Sequence, residues 1–289
     1  MLDTRYYGHL ARLFSASVVD EIASRGRSTH VDYVLARSGY AGLLPKGVTL
    51  GRLFDGLYDF LRRNYRCEYV YKNALANKIL LGRHSLNTSA LLTEFRVGRS
   101  KADVVIVNGT SSAYEIKSEL DSLGRLNRQL DSYRRVFDKV FVVTHRSQLG
   151  KVERGVGRDA GILLLTDRYT LKTVREARPN AGDVSPLSIF NCLRRDEYCQ
   201  IVGREFGYVP GVHNSRSYAE CKRLFASLEP AVAHRRMVGA LRRRCGGGEA
   251  ARLVTLVPHS LRLLCAAGRL APARHASFLS ALGAVYELK

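Results

Sequence analysis

The sequence lacks the spacings that mark most cysteine and histidine metal sites. Its six cysteines form no CxxC pair, and its eight histidines show no HExxH or HxxxH spacing. Zinc ribbons and fingers need short-range pairs of this kind, so no structural zinc site is expected. Scattered reduced thiols are typical of a reducing compartment, and we expect a cytoplasmic protein.

Long apolar runs are missing as well. No stretch of the 289 residues approaches the about 18 consecutive apolar residues that a membrane span needs. The first residues, MLDTRYYGHLARLF, carry charges at Asp3, Arg5 and Arg12 and lack the apolar core of a signal peptide. The remaining composition, 46% apolar with a mean hydropathy of −0.14, excludes a disordered or collagen-like chain. We expect a soluble protein with no membrane partner.

Acidic residues are scarce relative to basic ones. The chain has 46 Lys and Arg against 26 Asp and Glu, a net charge of +20 and a pI of about 10.0. The excess is not a detachable tail, because residues 1–179 hold 30 basic and 18 acidic residues and residues 180–289 hold 16 and 8. Such a surface attracts polyanions, which makes nucleic acid the leading partner class. The excess of positive charge would also be explained if it keeps the protein soluble by self-repulsion, or if the protein docks on acidic partners.

Apolar spacing divides the chain into three regions. Residues 1–90 read as mostly helical, because apolar positions recur every three or four residues in HLARLFSASVVDEI and LGRLFDGLYDFLRRNY. Residues 91–179 contain β-branched runs, and residues 180–289 return to a helical pattern. The predicted fold class is therefore α/β, with a mixed β-sheet core flanked by helices and with helical N-terminal and C-terminal extensions.

The central region begins with a predicted β-hairpin. Two β-branched runs are joined by Asn108-Gly109, the strongest short hairpin signal in the chain. A helical pattern follows from about Ser122 to Phe137, and two apolar runs, KVFVVTH and GILLLTD, then read as strands.

Strand alternation brings charged side chains together in this hairpin. Glu115 and Lys117 lie two residues apart and share a face, and pairing of the hairpin arms brings Asp103 close to them. Two neighbouring carboxylates repel unless a cation lies between them, and hard oxygen ligands suit Mg²⁺ or Mn²⁺. The plainer explanation for Glu115 and Lys117 alone is a cross-strand ion pair on a solvated face.

The following helix carries a polar residue in its apolar stripe. Gln129 falls within a stripe that includes Leu126, Leu130 and Tyr133. A buried Gln needs hydrogen-bond partners, which the adjacent sheet or a ligand phosphate would supply. Alternatively, Gln129 lies at the edge of the stripe and reaches solvent.

These residues, in this order, resemble a known superfamily. The series Glu94…Asp103…Glu115-Ile116-Lys117…Gln129…Tyr133 resembles the PD-(D/E)xK nucleases, and its trailing QxxxY helix is similar to the branch of recombination nucleases that act on DNA. The segment ADVVIVNGTSSAYEIKSELDSLGRLNRQLDSYRRVFDKVFVV, with REARPN and LRRDEY, is similar to a bacterial and phage family of that superfamily. The resemblance covers roughly residues 90–200 and implies a restriction-endonuclease-like core.

The resemblance implies a metal site. Asp103 and Glu115 would be the principal ligands of Mg²⁺ or Mn²⁺, joined by the backbone carbonyl of Ile116. Glu94, at the end of the preceding helix, would complete the site. The sequence departs from the superfamily pattern at Ala102, where the namesake motif has Pro.

The resemblance also implies roles for the remaining catalytic residues. Lys117 would position or activate the nucleophilic water, while Gln129 and Tyr133 would support the site and contact DNA.

Several basic residues are candidates for phosphate contacts. Two precede Asp103, two lie on the outer face of the helix, and three end a basic helical stretch: Arg99, Lys101, Arg125, Arg128, Arg242, Arg243 and Arg244. For each of them a solvated basic face is the alternative.

The sequence therefore predicts a Mg²⁺- or Mn²⁺-dependent deoxyribonuclease. A non-catalytic nucleic-acid-binding module that retains a nuclease-like core is the alternative from another class, and an enzyme acting on RNA is a third. Cleavage from ends or within a strand, substrate specificity and oligomeric state stay open.

Overall fold

The computed structural model describes residues 3–80, 88–119, 121–211, 214–245, 247–268 and 270–288. The chain forms two compact units. The first unit contains residues 1–87, 168–170 and 245–289, and the second contains residues 88–167 and 171–244. In the described part of the chain, no helix has both the length and the apolar character needed to cross a bilayer.

The first unit is helical and is built from both ends of the chain. Its N-terminal part contains α1 to α5, followed by a π-helical turn at Ala76–Leu80, and its C-terminal part contains α12 to α14. The helices are α1 (Tyr7–Arg12), α2 (Ala16–Arg25), α3 (Thr29–Ser38), α4 (Leu50–Asn64), α5 (Glu68–Leu75), α12 (Gly247–Leu256), α13 (Arg262–Ala266) and α14 (His275–Gly283).

Side-chain caps set several of these helix boundaries. The hydroxyls of Ser15, Ser28 and Thr49 accept hydrogen bonds from backbone N–H groups in the first turns of α2, α3 and α4. Gly26 and Gly39 end α2 and α3 with φ of 74°, a conformation that glycine adopts without a steric cost. The local sequence therefore specifies where these helices start and stop.

A short backbone pairing joins the two ends of the chain within the first unit. The N–H of Leu50 donates to the carbonyl of Ala284 at 3.0 Å, and the N–H of Tyr286 donates to the carbonyl of Val48 at 2.8 Å. Thr49 and Val285 form an antiparallel bridge between them.

The second unit contains a six-stranded mixed sheet in which the strands lie in chain order. The strands are β1 (Ala90–Val97), β2 (Ser100–Val107), β3 (Ser111–Lys117), β4 (Lys139–Thr144), β5 (Gly161–Leu165) and β6 (Leu171–Arg175). The β3–β4 and β4–β5 pairs are parallel, and the other three neighbouring pairs are antiparallel.

Helices flank this sheet. One helix follows β3, one follows β4, and four follow β6: α6 (Leu126–Arg134), α7 (Arg146–Gly155), α8 (Pro186–Phe190), α9 (Arg195–Phe206), α10 (Asn214–Ala226) and α11 (Pro230–Arg244). α6 packs on β2, β3 and β4, and α7 packs on β4 and β5. The core between them is apolar, as at Val104, Val142 and Ile162, which are fully buried.

The mixed α/β class and the central hairpin are confirmed. Asn108 and Gly109 connect β2 to β3, with Gly109 at φ 90° and the Asn108 N–H donating to the carbonyl of Thr110 at 2.9 Å. The predicted helix near Ser122–Phe137 forms at Leu126–Arg134, and the two apolar runs form β4 and β5.

Two features of the sheet differ from the sequence predictions. Glu94 was expected at the end of a helix but lies in β1, and β6 was not predicted at all. β1 and β6 are the edge strands, and each pairs with its neighbour along the chain, β2 and β5. Gly98-Arg99, between the paired residues Val97 and Ser100, is a short turn that would have indicated β1. The predicted C-terminal region also divides between the units, residues 180–244 with the sheet and residues 245–289 with the N-terminal helices.

Candidate active site

The β2–β3 hairpin brings Asp103 beside the charged end of β3. Val104 pairs with Tyr114, so Asp103 and Glu115 occupy the next position on each strand. The backbone N–H of Ile116 donates to Oδ2 of Asp103 at 2.7 Å. This bond fixes one oxygen of the Asp103 carboxylate against the backbone of β3.

Glu94 reaches Asp103 from the other side, across β1 and β2. The flanking pairs, Thr93 with Val104 and Phe95 with Ala102, place Glu94 opposite Asp103. Carboxylate oxygens of Glu94 and Asp103 lie within 4.8 Å of each other. Glu94 has φ of 57°, a left-handed conformation that is uncommon outside glycine and that concentrates at functional sites.

Glu115 and Lys117 form a buried ion pair on β3. Glu115 is 2% exposed and Lys117 9% exposed. The Lys117 ammonium donates to Oε1 of Glu115 at 2.8 Å and to Oε1 of Gln129 at 3.2 Å. A buried ion pair is stable only when further hydrogen bonds satisfy its polar atoms, and Gln129 meets that need for Lys117.

The helix α6 supplies the remaining partner of Glu115. Tyr133, four residues after Gln129 and fully buried, donates its hydroxyl to Oε2 of Glu115 at 2.7 Å. Burial, together with the neighbouring Glu115 carboxylate, raises the pKa of the Tyr133 phenol. The phenol therefore keeps its proton and acts as a donor.

The structure thus distributes the predicted site residues over two adjoining groups. Glu94 and Asp103 offer carboxylate oxygens close to each other, and Glu115 belongs to the network of Lys117, Gln129 and Tyr133. Among the described residues, Glu115 does not belong to a set of three acidic, His or Cys ligand atoms lying within 4.8 Å of one another.

The predicted phosphate contacts have different environments. Five of them are exposed on the turn after β1 and on helices or loops of the second unit: Arg99, Arg125, Arg128, Arg242 and Arg243. Lys101 is also exposed, but its ammonium forms an ion pair with Glu94.

Arg244 does not fit its predicted role. Its side chain is 12% exposed and forms an ion pair with Glu197, and its guanidinium lies over the Phe95 ring at 5.6 Å. A side chain committed to these contacts is not available to a phosphate. The run of three arginines did not distinguish it, because its partner, Glu197, lies on another helix, α9.

Two residues that support the site were not predicted from the sequence. The Thr144 hydroxyl, at the end of β4, donates to the carbonyl of Lys117 at 2.9 Å. Oδ2 of Asp121 accepts hydrogen bonds from the backbone N–H and the hydroxyl of Ser118. The S-x-x-D spacing of Ser118 and Asp121 is a local turn signal that would have indicated the second.

Comparison with known proteins identifies the family of this chain. The family model described as "Bacteriophage P4 protein cII" matches residues 62–246, well over half of the sequence. The chain belongs to the bacteriophage P4 protein cII family. The match includes every residue of the candidate site from Glu94 to Tyr133.

A curated member of the cII family is similar over a shorter region. Protein cII of Enterobacteria phage P4 is 32% identical to this chain over 98 residues, which covers 33% of each protein. The similarity thus spans about a third of the length of that relative. No solved structure matches this chain.

Proposed function

We propose that this cII-family chain is a metal-dependent nuclease that hydrolyses DNA phosphodiester bonds on a restriction-endonuclease-like core. One observation carries the proposal: the Lys117 ammonium on β3 donates hydrogen bonds to Glu115 and Gln129. The backbone of the same strand also donates a hydrogen bond to Asp103. A buried, oriented cation beside a pair of carboxylates is suited to a reaction in which negative charge develops on a phosphate.

The donor atoms fit a divalent cation. Mg²⁺ binds oxygen ligands at 2.0–2.1 Å, so two oxygens on opposite sides of the ion are about 4.2 Å apart. The oxygens of Glu94 and Asp103 lie within 4.8 Å of each other, a range that includes this separation. These two residues would hold Mg²⁺ or Mn²⁺. The resemblance adds the carbonyl of Ile116 and Glu115 as further ligands, and in this structure the two Glu115 oxygens accept hydrogen bonds from Lys117 and Tyr133. When bound, the ion would supply Lewis-acid stabilisation of the phosphate and acidify a bound water.

The chain's own residues would prepare the attack of water. The Lys117 ammonium donates hydrogen bonds, so it can orient a water lone pair toward phosphorus and oppose the charge of the transition state. Gln129 limits the positions that the ammonium can take, and Tyr133 holds the Glu115 carboxylate that anchors it. The hydrogen bonds among Lys117, Gln129 and Tyr133 with Glu115 would therefore orient the ammonium before the reaction begins.

DNA is the proposed substrate on the ground of charge. The net charge of +20 favours a polyanion, and the exposed arginines Arg99, Arg125, Arg128, Arg242 and Arg243 would contact backbone phosphates. Release of the counterions condensed on DNA would make the binding salt-dependent.

A cleavage assay tests the proposal. Plasmid, linear duplex, single-stranded DNA and RNA are each incubated with the full chain and Mg²⁺, Mn²⁺ or EDTA. The same assay is run with Lys117→Ala and with Lys151→Ala, an exposed lysine on α7 that serves as the matched control.

We expect DNA cleavage that requires the metal, is lost in Lys117→Ala and is kept in Lys151→Ala. Binding of DNA without cleavage under every condition would refute the enzyme and favour the non-catalytic module. Cleavage confined to RNA would correct the substrate.

A further inference from the structure

The exposed apolar side chains of the second unit are concentrated in one segment. In the described part of that unit, the large apolar side chains that are exposed all lie between residues 187 and 218. They are Leu187, Tyr208, Val209 and Tyr218, which we call the tyrosine patch. Tyr208 is 53% exposed and Tyr218 is 43% exposed. Exposed apolar groups that cluster in this way mark an interaction surface more often than scattered ones do.

Direct contacts join the parts of the tyrosine patch. The Ser217 hydroxyl donates to the carbonyl of Pro210 at 2.9 Å, which fixes the loop carrying Tyr208 and Val209 against the start of α10. On the other side, the Tyr218 ring lies 5.4 Å from the ring of Phe190 in α8.

The Tyr218 ring is therefore held in place while one part of it stays open to solvent. Its second ring neighbour is Tyr198 of α9, at 6.1 Å between ring centroids. An aromatic ring that is packed on its neighbours and still exposed loses little conformational freedom when a planar group stacks on it.

A cation accompanies Tyr218. The Lys222 ammonium lies 5.9 Å from the centre of the Tyr218 ring. The Arg223 guanidinium, the next residue along α10, forms an ion pair with Glu220 at 2.6 Å. With the exposed Arg216, α10 carries three basic residues and one acidic residue.

We propose that the tyrosine patch binds single-stranded nucleic acid. Bases would stack on Tyr208 and Tyr218, while Lys222, beside the Tyr218 ring, contacts a backbone phosphate. Exposed aromatic rings interleaved with cations are what a strand with free base faces and a charged backbone requires. This inference names the same class of partner as the proposed function, nucleic acid, but it does not depend on hydrolysis.

The charge of the patch favours nucleic acid over a protein partner. The centres of protein–protein interfaces are enriched in aromatic residues, Met and Arg and depleted of Lys, so the lysine is the residue of the patch that separates the two kinds of partner. Here the Lys222 ammonium lies 5.9 Å from the centre of the exposed Tyr218 ring, and two arginines lie on the same helix. A duplex fits less well, because its bases are already stacked on each other and do not offer free faces.

Fluorescence anisotropy of a labelled oligothymidylate, measured with the full chain in EDTA, tests this proposal. The variants are Tyr208→Ala and Tyr218→Ala, with a duplex of the same length as the second probe. Tyr33→Ala is the matched control, because Tyr33 is an exposed tyrosine of α3 with the Arg37 guanidinium 5.7 Å from its ring centre.

We expect each patch variant to bind the single strand about five-fold to a hundred-fold more weakly, the range of one lost stacking contact. Tyr208→Phe and Tyr218→Phe should keep the affinity, because phenylalanine retains the ring. Duplex affinity should change little in all of them. Because Tyr208 is largely exposed, its substitution leaves the core intact and tests the proposal even if Tyr218→Ala unfolds.

Three results would overturn the inference: unchanged single-strand affinity in Tyr208→Ala, a loss no larger than that in Tyr33→Ala, or an equal loss for duplex. A dimer in sedimentation that Tyr208→Ala dissociates would assign the patch to a second copy of the chain instead. A chain that binds the oligonucleotide through the patch but cleaves no DNA would refute the nuclease and leave this inference standing.

Discussion

The hydroxyl of Tyr133 and the ammonium of Lys117 hold opposite oxygens of the same carboxylate, that of Glu115, at 2.7 and 2.8 Å. A helix and a strand are thereby joined through one buried side chain. Loss of the Tyr133 hydroxyl should also change the position of the Lys117 ammonium, because one of the two hydrogen bonds that orient the Glu115 carboxylate would be missing.

Tyr133→Phe should lower both DNA cleavage and stability. The change leaves a buried carboxylate oxygen without its donor, which costs about 1–3 kcal/mol of unfolding free energy. We expect the cleavage rate at saturating metal to fall about ten-fold to a hundred-fold, as for other groups that orient a metal-site residue. Urea unfolding and initial cleavage rates measure the two effects. Tyr33→Phe, at an exposed tyrosine of the first unit, is the control, and an unchanged rate in Tyr133→Phe would contradict the prediction.

Arg244→Ala should lower the unfolding free energy much more than Arg243→Ala, although the two residues are neighbours. Arg244 forms a buried ion pair with Glu197, and removing one partner of such a pair costs about 3 kcal/mol or more. Arg243 is exposed, so its removal should change the unfolding free energy by less than about 0.5 kcal/mol.

The same two variants separate structural from phosphate-contacting arginines in binding. Arg243→Ala should reduce the salt dependence of DNA binding by about one unit of slope on a double-logarithmic plot, as expected for one phosphate contact. A salt slope identical to that of the wild type would exclude Arg243 from the proposed phosphate contacts.

His234 should make stability depend on pH near neutrality. Its Nε2 is hydrogen-bonded to the Ser111 hydroxyl at 2.7 Å in the interior. Burial lowers the pKa of the His234 imidazole below its ordinary 6.5, against the opposing charge of Asp138. The unfolded state therefore binds a proton more readily than the folded state, so stability falls as the pH drops below about 6.5.

Urea unfolding between about pH 7.5 and pH 5.5 measures this effect. One proton contributes a slope of at most about 1.4 kcal/mol per pH unit. His234→Gln keeps a hydrogen-bonding group for Ser111 and should flatten the profile. The Asp138 carboxylate, whose pKa is lowered because its hydrogen bonds to Thr110, Asn180 and Ala181 outweigh the effect of burial, contributes stability that is lost only below about pH 3.8, outside this window. A profile that stays equally steep in His234→Gln would assign the proton to another group.

Gly161→Ala should destabilise the second unit. Gly161 begins β5 opposite Phe141, and a Cβ there would overlap the Phe141 ring and approach the Ala177 nitrogen within 2.8 Å. Such overpacking typically costs about 1–3 kcal/mol. Gly182→Ala is the control, because nothing lies within 4 Å of its Cβ position. Equal midpoints of thermal unfolding for the two variants would refute the steric argument.

Local signals in the sequence were sufficient for the centre of the sheet and for α6. Asn108-Gly109 specifies a tight hairpin by its own backbone preference, and the stripe of Leu126, Leu130 and Tyr133 specifies which face of α6 is buried. Gln129 is half-buried, and its amide oxygen accepts a hydrogen bond from Lys117 on the sheet, one of the partners that its position in the stripe suggested.

Tertiary contacts decided what the sequence left undetermined. Glu94 is an exception: β1 pairs with β2 across the short Gly98-Arg99 turn, a local signal that the expectation of a helix missed. Arg244 and Arg243 are the same residue type in the same run, and only the presence of Glu197 on α9 separates them. Spacing predicts which face a side chain occupies, but the neighbour that meets it belongs to another part of the chain.

The bridge between Thr49 and Val285 has a consequence for synthesis. The sheet unit is nearly continuous along the chain and can assemble as it leaves the ribosome. The first unit cannot complete the packing of α2 and α4 until α14 and the residues after it have been synthesised. Removal of the final few dozen residues should thus expose the apolar faces of α2 and α4 to chaperones and proteases, while the sheet unit persists.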